Sequence, residues 1–254
     1  MKLRTTIIVS LMANLLTGTL SARAGLFSQT TFSGDADSGI SASKVYTHAI
    51  DFNGTGDGYA TITINGVTFT SGSIGDQTAT LKYNLGHPAL NPFSIGTFGT
   101  NFDPGLSGNI DKLLRNFFYG DNANETLLLT GLTPNTTYVA SFYGAAFGAK
   151  GGRYSLVTDS QGAFVYYDEN QTAGTTTGSI LRDTYTTGPG QTTMNFTWMI
   201  DTTDGLGNIT TNVDSYHQYG FTNEVAPEPA SLGLIALGSA ICLLRRRKNS
   251  CCPK

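Results

Sequence analysis

No cysteine precedes Cys242, and Cys251 and Cys252 complete the set. The long region ahead of them has no disulfide framework, so a packed core must hold it, with or without bound metal. The three C-terminal thiols have no matching set of His or Cys residues that would complete a zinc site. Histidine is almost as scarce, limited to His48, His87 and His217. With no Gly-x-Ser-x-Gly elbow either, a Ser-His-Asp triad has little to be built from. Basic residues are thin through the middle of the chain. Between residues 25 and 230 there are 7 of them against all 18 acidic residues, a net charge of −11 where the whole chain carries −3. Such a surface repels nucleic acid, which is excluded as a partner. Neither apolar stretch of the chain reaches the ~20 residues of a full membrane span.

Those two stretches lie at the ends. Lys2 and Arg4 precede an apolar run from Thr5 to Leu20, and Ser21-Ala22-Arg23-Ala24 follows before Gly25. A basic start, a short apolar segment and small residues at Ala22 and Ala24 are the order of a secretory signal peptide, predicting residues 1–24 as a removable leader. No cysteine follows that run, which argues against a lipoprotein. At the other end Val225-Ala226-Pro227-Glu228-Pro229-Ala230 leads into an apolar segment that stops at Arg245-Arg246-Arg247-Lys248. As a helix, residues 230–244 would be about 22 Å long at ~1.5 Å per residue, against a hydrocarbon core of ~30 Å. Arginines that snorkel and local thinning of the bilayer allow a short or transient anchor. The four cations would stay cytoplasmic, leaving the bulk of the chain facing outward.

Pro227-Glu228-Pro229, a short apolar helix and an Arg-rich end, on a chain that opens with a leader, resemble the PEP-CTERM sorting signal. The resemblance covers residues 225–248. It implies recognition by a membrane-embedded exosortase that cuts near the motif, the inner-membrane export machinery as a partner, and an association with exopolysaccharide or biofilm. It divides residues 225–254 into a motif (225–230), a hydrophobic helix (230–244) and a basic tail (245–254). An extra residue, Ala226, separates Val225 from the Pro-Glu-Pro of the usual motif, and Asn249 to Lys254 run past the basic stop. Leu-Pro-x-Thr-Gly, which other sortases read, does not occur in the sequence.

Residues 25–224 are long enough for one all-β domain of ~200 residues. Thr61-Ile-Thr-Ile64 and Val67-Thr-Phe-Thr70 alternate around Asn65-Gly66, the signature of a type I′ hairpin whose central residues both need positive φ. Further strands are expected at 44–52, 78–85, 125–130, 137–143, 153–159, 162–167, 178–185, 192–199 and 215–222. Many short strands between turn signals predict a single β-sandwich or jelly roll. Ile110, Leu113, Leu114, Phe117 and Phe118 keep helical spacing, so one short helix is expected there, capped by Asn109 or Asp111. Gly131-Leu-Thr-Pro-Asn-Thr-Thr-Tyr138 resembles the tyrosine corner of fibronectin type III sandwiches, which implies a hydroxyl bonded back to upstream backbone. The length suits a larger jelly roll of the galactose-binding or carbohydrate-module kind.

Asp168-Glu169, Asp201, Asp204 and Asp214 could supply the paired carboxylates of a glycoside hydrolase, but Asp in such places commonly serves turns. Calcium is a possible cofactor: Asp35 with Asp37, and Asp51 with Asn53 and Asp57, put oxygen ligands on alternate residues beside glycine. Trp198, Tyr166, Tyr167, Tyr216 and Tyr219 are candidates for stacking on sugar rings. The sequence thus predicts a non-enzymatic, exported surface or matrix protein. A carbohydrate-binding adhesin module and a secreted polysaccharide hydrolase are the alternatives, and no catalytic residue is assigned.

Overall fold

The computed structural model describes residues 23–52, 61–72, 83–86, 94–97, 104–119, 124–203 and 216–227. In chain order the elements are β1 (Arg23–Phe32), β2 (Tyr46–Phe52), β3 (Thr61–Ile64), β4 (Val67–Gly72), β5 (Tyr83–Gly86) and β6 (Ser94–Thr97). There follow α1 (Ile110–Leu113), β7 (Asn116–Tyr119), β8 (Glu125–Leu129), β9 (Thr137–Gly144), β10 (Tyr154–Asp159) and β11 (Phe164–Asp168). The last four are β12 (Gly178–Thr186), β13 (Met194–Ile200), β14 (His217–Gln218) and β15 (Gly220–Val225).

Two large sheets face one another. One has the order β1-β12-β9-β15-β2-β4-β3, the other β11-β10-β13-β8-β5, and a small sheet β14-β7-β6 lies at one end. Pairing is antiparallel except between β2 and β4. From β8 onward the chain passes repeatedly from one large sheet to the other, as in a jelly roll. The expected all-β sandwich is what forms.

Alternation along the strands explains the core between the sheets. Phe142, Leu181, Tyr138, Tyr185 and Phe221 from the larger sheet meet Leu127, Leu129, Val157, Phe196 and Trp198 from the smaller. The larger sheet is also covered on its other face. Tyr143 and Ile180, each next in sequence to a residue of the first core, join Phe32, Ile64, Phe69, Ile110, Leu113 and Tyr219 in a second one. This is why β9 is buried at five consecutive positions, Ala140 to Gly144, without alternation.

Local chemistry fixes the corners. Asn65 and Gly66 have φ of 48° and 81°, the left-handed pair that the β3–β4 turn requires. The Asn65 side chain donates to the carbonyls of Asp35 and Ile40, tying the hairpin to the segment after β1. Tyr138 is fully buried and its hydroxyl accepts the Thr133 N–H at 2.8 Å, the bond a tyrosine corner implies.

The helix is shorter than its spacing suggests. Only Ile110–Leu113 is helical, while Phe117 and Phe118 belong to β7. Asn109 holds the N-cap position without a side-chain bond to the helix amides. The cap comes from afar instead: Asp35 accepts the N–H groups of Asn109 and Ile110 at 3.0 and 2.8 Å. Removing that carboxylate in Asp35→Ala should lower stability by about 1–2 kcal/mol, read as a shifted midpoint in urea unfolding.

Candidate functional site

Strand β11 is the edge of the five-stranded sheet, and its alternation splits its aromatics between inside and outside. Tyr167 points inward, where its hydroxyl meets Ser179 Oγ at 2.7 Å, and burial raises it well above the ordinary tyrosine range. Phe164 and Tyr166 point outward, 62% and 42% exposed, with ring centroids 6.2 Å apart at 85°. Across the ladder Phe164 is paired with Thr158 and Tyr166 with Leu156. These four, with Gly162 and Ala163, line an open groove of about 320 Å³. Two large rings side by side on a sheet face, next to a hydroxyl, form a surface that can stack on an apolar sugar face.

Of the aromatics expected at a ligand surface, Tyr166 alone is there. Trp198 is 3% exposed and packs edge-on against Phe142, centroids 4.6 Å apart. Tyr216 and Tyr219 are buried as well. Phe164 was not among the sequence candidates, although its i, i+2 relation to Tyr166 is the signal that places both on one face.

A second group of polar side chains is interior. Glu169, 2% exposed, sits in the turn after β11, while His217 comes from β14. Glu169 Oε2 accepts the His217 backbone N–H at 2.8 Å, and Oε1 lies 2.5 Å from His217 Nδ1. The Tyr219 hydroxyl donates to the Ala145 carbonyl at 2.9 Å. The His217 ring lies against Phe117, centroids 3.9 Å apart and tilted by 42°, with Phe147 edge-on at 5.0 Å. A cleft of about 230 Å³ bordered by Ala145, Phe147, Gly148 and Thr172 to Thr175 opens beside this cluster. The rings enclose the carboxylate–imidazole pair, whose two side chains are 2% and 3% exposed. That arrangement ties the turn after β11 to the small sheet.

The other sequence candidates are dispersed. Asp168 accepts the amides of Gly151 and Asn170, and partial burial raises its carboxyl above the usual range. Asp201 holds the Thr203 amide and hydroxyl in a turn. His48 is buried in β2 beside the Thr47 hydroxyl. Asp204, Asp214 and His87 lie outside the described residues. Of the calcium candidates, Asp35 caps α1, while Asp37 accepts the amides of Ser33 and Gly34 and the Ser33 hydroxyl. The Ser33 bonds hold the Asp37 carboxyl below its ordinary range. Asp51 is buried in β2, and Asn53 and Asp57 lie outside the described residues. Among the described residues no three His, Cys, Asp or Glu side chains gather as metal ligands.

At the ends, Ala24 is in β1, whereas Ala22 lies outside the described residues. Pro227 is the last residue described and is exposed two residues beyond β15. Glu228, Pro229, the apolar segment 230–244, and Arg245, Arg246, Arg247 and Lys248 fall outside the described residues.

Body and tail together define a β-sandwich followed directly by a sorting sequence. Residues 225–248 match the family model of the PEP-CTERM protein-sorting motif. No curated protein matches the chain. Among solved structures, the ANXUR2 extracellular domain from Arabidopsis thaliana is similar at 12% identity with a TM-score of 0.48, over 72% of this chain and 49% of that one. The CBM35 from Cellvibrio japonicus Abf62 is similar at 14% identity with a TM-score of 0.33, over 56% of this chain and 91% of that one. The chain spans about half the length of the ANXUR ectodomains it matches.

Replacing Glu169 by Ala would remove the acceptor of the His217 amide and leave the ring only the longer contact with the Tyr219 hydroxyl at 3.4 Å. The expected loss is about 3–5 kcal/mol, as for other broken buried pairs, measured by urea unfolding.

Proposed function

We propose that this chain is an exported protein that an exosortase cuts near Pro227-Glu228-Pro229, leaving a non-enzymatic β-sandwich at the cell surface or in an exopolysaccharide matrix. The observation that carries the reading is the sorting match at residues 225–248, which begins on the last residue of β15. The signal starts where the folded body stops. Residues 230–244 hold the precursor transiently in the inner membrane, with the Arg-rich tail on the cytoplasmic side. The −11 charge of residues 25–230 suits a body that stays soluble once released. The enclosure of Glu169 and His217 and the separate turn-holding roles of Asp168 and Asp201 support a non-catalytic role.

The Phe164–Tyr166 pair favours a second reading of the same protein, as a carbohydrate-binding adhesin module. Exposed rings of this size on a soluble body are unfavourable unless something covers them.

Two experiments check these readings. A chain truncated after Pro227 keeps β15 and should fold, but should be lost from the surface fraction and recovered elsewhere in the cell or medium. Surface display equal to that of the full chain would contradict the sorting role. Phe164→Ala with Tyr166→Ala should leave unfolding within about 0.5 kcal/mol of the parent, since both residues are exposed. It should reduce retention on the host's own exopolysaccharide about tenfold, given ~0.5–1.5 kcal/mol for each lost aromatic contact. Equal retention removes the ledge as a binding surface.

A further inference from the structure

Gly25, the residue after the expected cut, has two carboxylates around it. Its N–H donates to Asp159 Oδ2 at 3.2 Å. A Cβ built on Gly25 would stand 2.5 Å from that same oxygen and would collide with Asp183 Oδ1. Asp159 is 6% exposed and Asp183 is wholly buried. Asp159 Oδ1 is satisfied by the amides of Gln161 and Ala163, both at 2.8 Å. Among the described residues neither oxygen of Asp183 receives an N–H or hydroxyl donor. It faces the Asp159 carboxylate, with the Tyr185 hydroxyl as the other titratable neighbour. Burial, reinforced by the like charge of Asp159, pushes the Asp183 carboxyl up to about 7. A buried acid without a donor is costly, and this one is aimed at the backbone of residue 25. The ladder between β1 and β12 is regular from Leu26 onward and shifts register between Arg23 and Leu26, at the same place.

We propose that Asp159 and Asp183 form a binding site for a primary ammonium group, and that its ligand is the α-ammonium of Gly25 released by hydrolysis of the Ala24–Gly25 bond. The proposal rests on the reading that export processing cuts after Ala24. That hydrolysis consumes one water. Ala24 departs with the new carboxylate, and the Gly25 nitrogen becomes an amine that takes up a proton near neutral pH. One neutral N–H thus becomes a cation with three donors, at the point where two buried acids converge. The cation favours the ionised Asp183 carboxylate, opposing the effect of burial and of the like charge of Asp159. Glycine at position 25 leaves room for this arrangement, since a Cβ there would displace the Asp183 carboxylate. The uncut precursor holds Asp183 without an N–H or hydroxyl donor beside a satisfied Asp159, and the processed chain holds an ion cluster. Leader removal therefore stabilises the body it exposes.

The test uses the full chain produced in an exporting bacterium, with the processed protein recovered from the cell surface. Its intact mass shows where it begins. A start other than Gly25 refutes the cleavage reading itself and takes the proposal with it. For protein that does start at Gly25, the α-amine is acylated with an amine-reactive ester and quantified by peptide mapping. Acylation should be at least about tenfold slower in the folded protein than in urea, equivalent to one unit of raised amine pKa. Asp183→Asn, equal in shape, should restore near-unfolded reactivity, whereas slowing by burial alone would survive it. Equal rates in folded and unfolded protein, or an Asp183→Asn variant as slow as the parent, overturn the proposal. Should that variant not fold, the pH dependence of acylation in the parent decides. An α-amine pKa above the ordinary ~7.7–8.0 supports the site, and one at or below it overturns it.

Discussion

The last strand of the body is the middle of its larger sheet. β15 lies between β9 and β2, so the two halves of that sheet, β1-β12-β9 and β2-β4-β3, are joined through residues 220–225. Val225 and Ala226 are still bonded to the carbonyls of Val45 and Thr137, while Pro227 is already exposed. The sandwich cannot close until the chain has been delivered almost to its sorting motif. At ~3.3 Å per residue, the stretch from Ala226 to Ala230 reaches only ~13 Å. Any protease acting at Pro227 to Pro229 therefore works close against a finished fold. Cuts on the N-terminal side of Ala226 would remove part of that fold.

Without disulfides, the burden of stability falls on shape. Two aromatic-rich cores lie on opposite faces of the same sheet, and β9 and β12 feed both. Neighbouring residues such as Phe142 and Tyr143, or Leu181 and Ile180, are committed to different cores. A substitution in β9 is consequently felt on both sides of the sheet, and close packing leaves little room for repair. The polar groups inside follow a similar economy. Asp35 joins the segment after β1 to α1, Asn65 joins the hairpin to that segment, and Glu169 joins the turn after β11 to the small sheet. Each connects elements far apart in sequence, which is what a disulfide would otherwise do.

This economy also explains what the sequence made legible. Asn65-Gly66 and the Tyr138 corner are local: the turn chemistry demands those residues, and the structure has both the positive φ pair and the hydroxyl bond. The strand at 215–222 was visible as a run but not as two elements, because the break at Tyr219 follows from its burial against Ala145 and not from a turn signal. Phe117 and Phe118 fit a helical period equally well, and only their pairing with β6 and β14 makes them a strand. β1 went unseen because its register depends on β12, some 150 residues away. Tyr219 looked like a ligand aromatic because the sheet that β15 joins is buried on both faces and gives no alternation to sort it by, whereas β13 does alternate, and the pattern puts Trp198 on one face with Met194 and Phe196 without saying that this face is the inner one. Phe164 was overlooked for the opposite reason: an edge strand with one solvent face was not distinguished from the rest. The cap from Asp35 and the convergence of Asp159 with Asp183 could not be read at all, since each brings together residues of separate elements that no local pattern links.

The Phe164–Tyr166 ledge can be weighed against ordinary edge-strand physics. An exposed edge with large apolar rings is a hazard, because its free backbone groups invite pairing with another chain. Here the hazard is managed in place. Gln29 of β1 donates its side-chain amide to the Tyr166 carbonyl at 3.3 Å, occupying an acceptor that a foreign strand would need. One outward acceptor of β11 is thus occupied while its rings are left bare. A sequence under pressure only to stay soluble would have guarded the rings as well, and Thr or Lys at 164 and 166 would do so without disturbing Val165 or Tyr167 beneath. Keeping both rings next to a protected edge is consistent with a surface meant to meet a flat, hydroxylated partner.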